Sequence, residues 1–329
     1  MAITALALAS LALMATTLGL YFMSNDTKTE KNYFRQFIKH NQKYNKRHSN
    51  QDDINFRYAI YAMKMKMIEA HNASGKSFTM AENKFTDLTF EEFKSKYLSK
   101  QILHNQTTSV NKGVMESDHK DWVLDGMVSR VKDQADCGSC WAFSATGSLE
   151  SAYAIKGEKI EVSEQELVDC SGKYGNNGCD GGLMSNAFKY IMHNQISTEK
   201  DYVYTAEDGK CKAKKYKTKY SLKGFASIDP VDVTGLVAGI KIQPVSVAIE
   251  VQEDFMNYSS GIYTNDECGD SLNHGVLAAG YYNDVEVPYF VVKNSWGGDW
   301  GDKGYIKMAI AEGSGTCGIA NSWDAIPQL

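Results

Sequence analysis

The sequence predicts an α+β fold, with helices in its first half and strands in its second. Three patterns support this class. Residues 30–72 have helical periodicity, and residues 139–156 form a helix that is apolar almost all round. The last 85 residues contain four stretches of alternating or continuous apolar residues that are typical of strands. A helical part followed by a β part predicts two packed subdomains.

The N-terminus is apolar and uncharged over its first 23 residues, and Lys28 is the first basic residue. This predicts a signal peptide over residues 1–24, with small residues such as Ala15 and Gly19 near the cleavage point. An uncleaved signal anchor is the alternative, because about 20 apolar residues can span a bilayer.

The helical region before residue 75 has one apolar stripe at spacings of four, three, four and three. The stripe consists of Phe56, Ile60, Met63, Met67 and Ala70. After Gly75 the sequence predicts a short extended piece and then a helix started by Thr89. Residues 100–120 are polar and without periodicity, which predicts an exposed linker that a protease could cut.

The second half begins with the apolar helix of residues 139–156, which we expect to be buried and to stop at Gly157. Glycine-rich loops follow over residues 171–182. The predicted strands are residues 246–251, 275–282, 288–294 and 304–309.

Charge is divided unevenly along a chain whose net charge is −5. Residues 1–115 carry 16 basic and 9 acidic side chains, whereas residues 116–329 carry 19 basic and 31 acidic ones. We therefore expect a basic segment to dock on an acidic body, and low pH to weaken that contact by protonating carboxylates. The acidic balance of the larger part argues against nucleic-acid binding.

Seven cysteines lie between residues 137 and 317, and the odd number leaves one thiol unpaired or in an intermolecular bridge. N-x-[S/T] sequons at Asn25, Asn72, Asn105 and Asn257 are compatible with secretion, where disulfides form. Cys137-Gly-Ser-Cys140 fits a redox dithiol, half of a metal site, or a structural cysteine beside a reactive one.

Cys140 begins the apolar helix, where the helix dipole favours a thiolate. A nucleophilic cysteine needs a base, and His274, at the entry to an apolar strand, is the best candidate among the histidines. Asn294 offers an amide to orient the imidazole, and Trp296 would shield that contact. Gln134 can offer an amide N–H to a developing oxyanion, together with the backbone N–H of Cys140.

Four motifs in this order resemble those of the papain family of cysteine peptidases, closest to the cathepsin L branch. They are Q-x-x-C-G-S-C-W-A-F-S at 134–144, G-C-D-G-G at 178–182, N-H-G-V at 273–276 and N-S-W-G-x-x-W-G at 294–301. The resemblance runs from about residue 30 to the C-terminus. It implies a papain-like peptidase of two subdomains, one helical and one barrel-like, preceded by a helical propeptide.

The N-terminal part resembles the propeptides of cathepsin L-like enzymes in two motifs. The first is Asp53, Arg57, Ile60, Tyr61, Lys64, Ile68 and Asn72, in which Lys64 departs from the usual Asn. The second is Ala81, Asn83, Phe85 and Asp87, in which Ala81 replaces Gly. The implied domains are a signal peptide (1–24), an inhibitory propeptide (25–115) and a peptidase domain (116–329).

The resemblance also implies roles for the cysteines and for the remaining site residues. Its disulfides are Cys137–Cys179, Cys170–Cys211 and Cys268–Cys317, which leave Cys140 as the nucleophile; no metal or cofactor is expected. Catalysis is assigned to Cys140, His274, Asn294 and Gln134. Substrate contacts are assigned to Gly138, Gly181, Gly182, Leu183, Met184, Ala248, Leu272, Asn273, Gly275, Trp296 and Ser322.

The resulting hypothesis is a monomeric cysteine endopeptidase that cleaves proteins and peptides. Its propeptide would inhibit it until acid triggers a cut near Lys112–Glu116. We expect it in the secretory pathway, in the lysosome, the phagosome or outside the cell, without stable membrane association or nucleic-acid partners. The alternative is a catalytically inactive secreted homologue that binds peptides or inhibits partners; such homologues typically replace the nucleophile, which is present here.

Overall fold

The computed structural model describes residues 27–100, 118–217, 219–228, 232–269, 271–321 and 325–329. The predicted signal peptide, the predicted cut at Lys112–Glu116 and Ser322 lie outside the described residues. The chain divides into two compact units, one up to Met67 and one from Ile68 to Leu329.

The first unit contains helix α1 (Thr27–Lys43) and most of helix α2 (Gln51–Ala73). The ring of Phe37 in α1 lies 5.5 Å from that of Tyr61 in α2. The predicted apolar stripe of α2 is wrong in three of its five members, because Phe56 and Met63 are 44% and 43% exposed and Ala70 is exposed as well. The buried row instead includes Ile60, Tyr61 and Lys64. Lys64 is only 1% exposed, so its ammonium group is buried together with its stem, and a simple apolar pattern misses a buried lysine.

The second unit begins with the end of α2, followed by strand β1 (Phe78–Met80) and helix α3 (Phe90–Tyr97). Thr89 caps α3 as predicted: its Oγ1 accepts a hydrogen bond from the Glu92 N–H (3.1 Å), and Glu92 Oε2 accepts one from the Thr89 N–H (2.9 Å). We call residues 78–100 the covering segment.

Three helices form the helical subdomain: α4 (Cys140–Ile155), α5 (Glu164–Cys170) and α6 (Met184–Asn194). Helix α4 is buried over nearly its whole length, as its apolar sequence predicts. It ends at Ile155 with Lys156 as its C-cap, and Gly157 follows with φ +92°, a left-handed conformation that favours glycine.

The other subdomain is a largely antiparallel sheet. The strands after β1 are β2 (His119–Asp121), β3 (Ile196–Ser197), β4 (Lys219–Tyr220), β5 (Gly224–Ser227), β6 (Val245–Ile249), β7 (Tyr258–Tyr263), β8 (His274–Tyr282), β9 (Tyr289–Lys293), β10 (Tyr305–Ala309) and β11 (Ala325–Gln328). The strand order of the sheet in the described residues is β1-β7-β10-β9-β8-β6-β11-β5, with β2 paired to β8. Only the β10–β7 pair is parallel among the described strands. Helix α7 (Val233–Ile242) precedes β6.

Helix α4 packs on β8, and this contact fixes where the two subdomains meet. Ser144 Oγ donates to the Val276 carbonyl (2.7 Å), and a Cβ on Gly147 would lie 3.2 Å from the Leu277 side chain. The start of α4 and the start of β8 therefore come together. The predicted α+β fold of two subdomains is confirmed.

Candidate active site

Cys140 is the first residue of α4 and is completely buried. Its backbone lies against Gly275, since a Cβ on Gly275 would approach the carbonyl carbon of Cys140 to 3.3 Å. This places the thiol beside the residue that follows His274.

The other six cysteines form three disulfides, and Cys140 is the free cysteine of the described chain. Cys137 pairs with Cys179, Cys170 with Cys211, and Cys268 with Cys317. These are the pairs that the resemblance implies. Because Cys137 is bonded to Cys179, the C-x-x-C pair is neither a dithiol nor half of a metal site.

His274 opens β8 and is held by an amide and an indole. Its Nε2 lies 2.8 Å from Asn294 Oδ1, and its ring stacks on Trp296 with 4.6 Å between ring centres. Asn294 Oδ1 also accepts the Ser295 backbone N–H at 2.8 Å, which fixes the amide orientation. His274 Nδ1 is buried and has no hydrogen-bond partner, so one ring nitrogen is left for chemistry.

Burial keeps the thiol and the imidazole neutral in this state. Burial of the thiol away from water raises the pKa of Cys140 to about 11. Hydrogen bonds from backbone groups such as Gly275 and Ser99 oppose this shift by lowering the pKa. Loss of solvent also lowers the pKa of His274 to about 4, although the hydrogen bond to Asn294 opposes the shift. At pH 7 neither group is charged.

Gln134 is buried, and its side-chain amide is hydrogen-bonded to three neighbouring groups. Nε2 donates to the Cys137 carbonyl (2.8 Å) and to the Tyr97 carbonyl (2.9 Å), and Oε1 accepts from Ser295 Oγ (2.7 Å). One of the two N–H groups of the Gln134 side chain therefore donates to the covering segment.

The covering segment meets the site again immediately after Tyr97. The Ser99 N–H donates to the Asn273 carbonyl (2.8 Å), and the Lys100 N–H donates to the Asp180 carbonyl (3.1 Å). A Cβ on Gly138 would lie 2.8 Å from the Leu98 carbonyl. Residues 97–100 thus occupy the groups that the resemblance assigns to substrate.

Aromatic rings hold the segment over Trp296. Phe85 and Phe93 are fully buried and meet the Trp296 ring edge to face, at 5.5 and 5.1 Å between centres. Tyr97 lies 4.8 Å from Phe85 and 5.2 Å from Phe93. The same indole that stacks on His274 is therefore the platform for the covering segment.

The glycines of the predicted substrate site are also required by the packing and backbone conformation of the protein itself. A Cβ on Gly138 would lie 2.5 Å from the Cys179 carbonyl, and one on Gly182 would lie 2.6 Å from Asn176 Oδ1 and 2.7 Å from the Trp141 ring. Gly181 has φ +122°. Internal packing alone thus requires glycine at 138 and 182.

The apolar residues of the predicted pocket lie together in the structure. Met184, Ala248 and Leu272 are buried members of one hydrophobic cluster, and the partly buried Leu183 packs against it. Gly275 lies against the backbone of Trp141, another member of this cluster, with 3.1 Å to its added Cβ.

Sequence reasoning missed a buried charge cluster behind the site. Lys132 Nζ donates to Glu150 Oε1 (2.7 Å) and Glu164 Oε1 (2.6 Å), and all three side chains are buried. With Lys293, these residues line a small cavity that reaches Asn294 and Ser295. The S-E-Q-E run at 163–166 is the signal that could have found it, because it places two glutamates in the first turn of a helix.

A second missed residue is Tyr204, which braces the loop that carries Gln134. Its hydroxyl lies 2.6 Å from Ser139 Oγ and donates to the Gln134 carbonyl at 2.8 Å. Nearby, burial and the neighbouring Glu164 raise the pKa of Glu199 to about 7, while its Oε1 accepts the Tyr204 N–H.

Comparison with known protein families gives two matches, which follow one another along the chain. Residues 116–326 match the papain family cysteine protease model. The chain belongs to the papain family. Residues 34–93 of this papain-family protease match the cathepsin propeptide inhibitor domain (I29).

Individual relatives are similar to this protease over most of its length. It is 42% identical to cysteine proteinase 3 of Solanum lycopersicum over 316 residues, or 92% of this chain and 86% of that protein. It is 42% identical to a cathepsin L-like proteinase of Fasciola hepatica over 294 residues, or 84% of this chain and 88% of that one. The solved structure of digestive procathepsin L 3 of Tenebrio molitor larval midgut superimposes with a TM-score of 0.79 and 33% identity, covering 90% of this chain and 99% of that one.

These findings establish a cysteine peptidase made as a zymogen, with its own propeptide as intramolecular inhibitor. Among the described residues, none of the helices has the length and hydropathy of a membrane span.

Proposed function

We propose that the mature protein hydrolyses peptide bonds with Cys140 as nucleophile and His274 as proton carrier. The observation that carries the proposal is the single free thiol at the start of α4, beside a histidine fixed by Asn294 and Trp296. His274 Nδ1 would take the proton of the Cys140 thiol as Sγ attacks the peptide carbonyl carbon, and would then give that proton to the leaving amine before water releases the acyl group. The direct test replaces the thiol in Cys140→Ala and measures hydrolysis of a peptide substrate.

Gln134 and Asn273 support this assignment through what they bind now. When Tyr97 leaves, one Gln134 N–H is freed at a buried position where a developing oxyanion would be stabilised. Release of Ser99 likewise frees the Asn273 carbonyl to accept a substrate N–H.

The direction of the covering segment explains why it blocks the site without being cut there. In a substrate, one residue would give its N–H to Asn273 and then its C=O to Gln134, so the N–H precedes the C=O. In the segment the C=O of Tyr97 precedes the N–H of Ser99. The segment therefore runs opposite to the assigned substrate direction, and its carbonyl at Gln134 is not presented for attack.

We propose that the cluster of Leu183, Met184, Ala248 and Leu272 selects the substrate residue one position upstream of the cut-site residue. All four of these side chains are apolar and uncharged. A cationic side chain would be desolvated there without a partner, which is costly. The proposed preference is for Leu, Phe, Val or Tyr, and cleavage within chains follows from the absence of an inserted loop with paired histidines.

Substrates that differ only at this position test the preference. We expect Leu or Phe to exceed Arg in kcat/KM by at least about tenfold, or ~1.4 kcal/mol. The control varies the residue after the cut between Leu and Arg in the same peptides and should show a smaller ratio. Equal kcat/KM for Arg and Phe at the selected position would contradict the pocket assignment.

We propose that acid loosens the covering segment by removing charge from the body beneath it. Three lysines of the segment meet aspartates of the peptidase part: Lys84 with Asp133, Lys96 with Asp136, and Lys100 with Asp180. Protonation of these carboxylates would remove the attraction, so acid weakens it. Each pair is partly exposed and individually weak, which is why the set matters.

The first unit has an acid-sensitive feature of its own at Asp53. The Ser49 N–H donates to Asp53 Oδ2 (2.9 Å), and this bond, with Arg57 and His48 nearby, lowers the pKa of Asp53. A carboxylate whose folded pKa is depressed stabilises the fold above its unfolded pKa. That stabilisation is lost as pH falls through the folded pKa, in the same direction as the loss of the ion pairs.

Removing the three aspartate charges should imitate acid. We expect the precursor carrying Asp133→Asn, Asp136→Asn and Asp180→Asn to convert at higher pH than the wild type, about tenfold faster at pH 6. The physical reason is the loss of three weak attractions worth roughly 0.2–1 kcal/mol each. The measurement is the conversion rate from pH 7 to pH 4 on gels.

The matched control removes three exposed aspartates elsewhere: Asp201, Asp266 and Asp284. It has the same change of net charge and should convert like the wild type. Identical pH profiles for both triple variants would show that these ion pairs do not set the acid response.

We also propose the domain limits 25–115 and 116–329. We propose a secretory route as well, which the three disulfides favour.

A further inference from the structure

A lysine-rich segment stands out in the otherwise acidic peptidase part. Residues 210–223 contain seven lysines and no acidic residue, although acidic side chains outnumber basic ones 31 to 19 over residues 116–329. Six of these lysines are exposed, and none of the six forms an ion pair in the described part of the chain. They are Lys210, Lys212, Lys214, Lys215, Lys217 and Lys223.

The backbone of this segment is held in place at several points. The disulfide to Cys170 anchors Cys211, and the ring of Tyr216 lies 5.1 Å from that of Tyr202. The seventh lysine, Lys219, places Nζ 2.8 Å from Glu166 Oε1. These contacts anchor the described residues of the segment at Cys211, Tyr216 and Lys219, which lowers the ordering entropy that a ligand would have to overcome.

A groove of about 710 Å³ runs beside the segment. Its lining combines Lys214 and Tyr216 with Lys173 and Tyr174 of the turn after α5, together with the amide of Asn194. Two acidic groups are close, and both are already engaged. Asp169, which lines the groove, accepts bonds from the Tyr202 hydroxyl, the Gln165 amide and the Gly209 N–H, and Glu166 is paired with Lys219.

We propose that this lysine-rich segment and its groove bind a sulfated polysaccharide. Unpaired lysines presented on a fixed backbone match a linear chain of sulfate and carboxylate groups. Single-stranded nucleic acid would need free aromatic faces for stacking, but the ring of Tyr216 packs on Tyr202 and that of Tyr174 on Tyr190. The segment also has no arginine for bidentate base or phosphate contacts.

The proposed site is separate from the candidate active site. None of the residues that line the groove belongs to the catalytic or substrate-contacting set. Binding of a polysaccharide therefore does not rest on the proposed cleavage mechanism, and either can fail without the other.

The test compares two fourfold variants in the full-length chain carrying Cys140→Ala, which would prevent processing during the measurement. The first changes Lys212, Lys214, Lys215 and Lys217 to Gln. The second changes four exposed lysines elsewhere, Lys156, Lys159, Lys200 and Lys303, and has the same net charge. Affinity for heparin is measured by calorimetry over a series of NaCl concentrations.

We expect the first variant to bind heparin at least about tenfold more weakly and with a shallower salt dependence. The second should stay within about twofold of the parent chain. Undiminished heparin binding by the first variant, or an equal loss in both, would overturn the site.

Three other probes identify the ligand class: hyaluronan, which lacks sulfate, a short DNA duplex, and vesicles containing phosphatidylserine. The proposal requires heparin to bind most tightly and to depend most on the four lysines. Equally tight binding of DNA or vesicles through the same lysines would overturn the assignment to a sulfated polysaccharide.

Discussion

The Cys140→Ala protein is expected to lose at least about 10⁴-fold in kcat/KM on peptide substrates, because the described chain has no second free thiol to form the acyl intermediate. The three disulfides do not involve Cys140, so the fold should be kept. The measurement is hydrolysis of a fluorogenic peptide after acid conversion by added wild-type enzyme, which is then removed.

Two controls make the result interpretable. The melting temperature of the Cys140→Ala precursor should equal that of the wild type within about 2 °C, which separates lost chemistry from lost folding. Asn294→Ala keeps the thiol but frees the imidazole, and should reduce kcat by a smaller factor while shifting its pH profile. Turnover by the alanine variant that a thiol-alkylating reagent does not abolish would contradict the mechanism.

Replacing both Phe85 and Phe93 by alanine is expected to give a precursor that cleaves peptides at pH 7. These rings are fully buried against Trp296. Phe→Ala changes at such positions cost about 3–5 kcal/mol each. Even if half of that loss weakens the cover, the open fraction should rise more than 100-fold, which corresponds to about 2.7 kcal/mol.

The readout is the initial rate of peptide hydrolysis by the unprocessed precursor at pH 7, checked on gels for the absence of cleavage. Phe56→Ala is the matched control, because it removes the same ring from a 44% exposed position. Adding Cys140→Ala to the double variant should abolish the new activity. A double variant that is folded and as inactive as the wild type at pH 7 would show that the aromatic contact does not keep the site closed.

Local chemical signals explain which parts of the fold could be predicted. Thr89 with Glu92 is a capping box readable from sequence, and the continuous apolar run after Cys140 identifies a buried helix. The papain-like motifs gave the family. In each case a few neighbouring residues carry the information.

Other features depend on contacts between distant residues, and the sequence could not show them. The buried face of α2 includes Lys64, a charged side chain that is only 1% exposed and that apolar periodicity does not reveal. Ser99 lies just before the stretch without periodicity at residues 100–120, yet its backbone reaches Asn273. Backbone hydrogen bonds of this kind cannot be predicted from the pattern of side chains in the sequence.

The buried, neutral Cys140 has a consequence for how the protein is made. Thiol–disulfide exchange proceeds through the thiolate, and burial that raises the pKa of Cys140 to about 11 leaves roughly one thiol in 10⁴ ionised at pH 7. Six other cysteines must oxidise into three correct bridges while this sulfur stays reduced. Burial of Cys140 in the folded precursor therefore keeps its sulfur in the less reactive thiol form, which slows mispairing and over-oxidation of the seventh cysteine once the chain has folded.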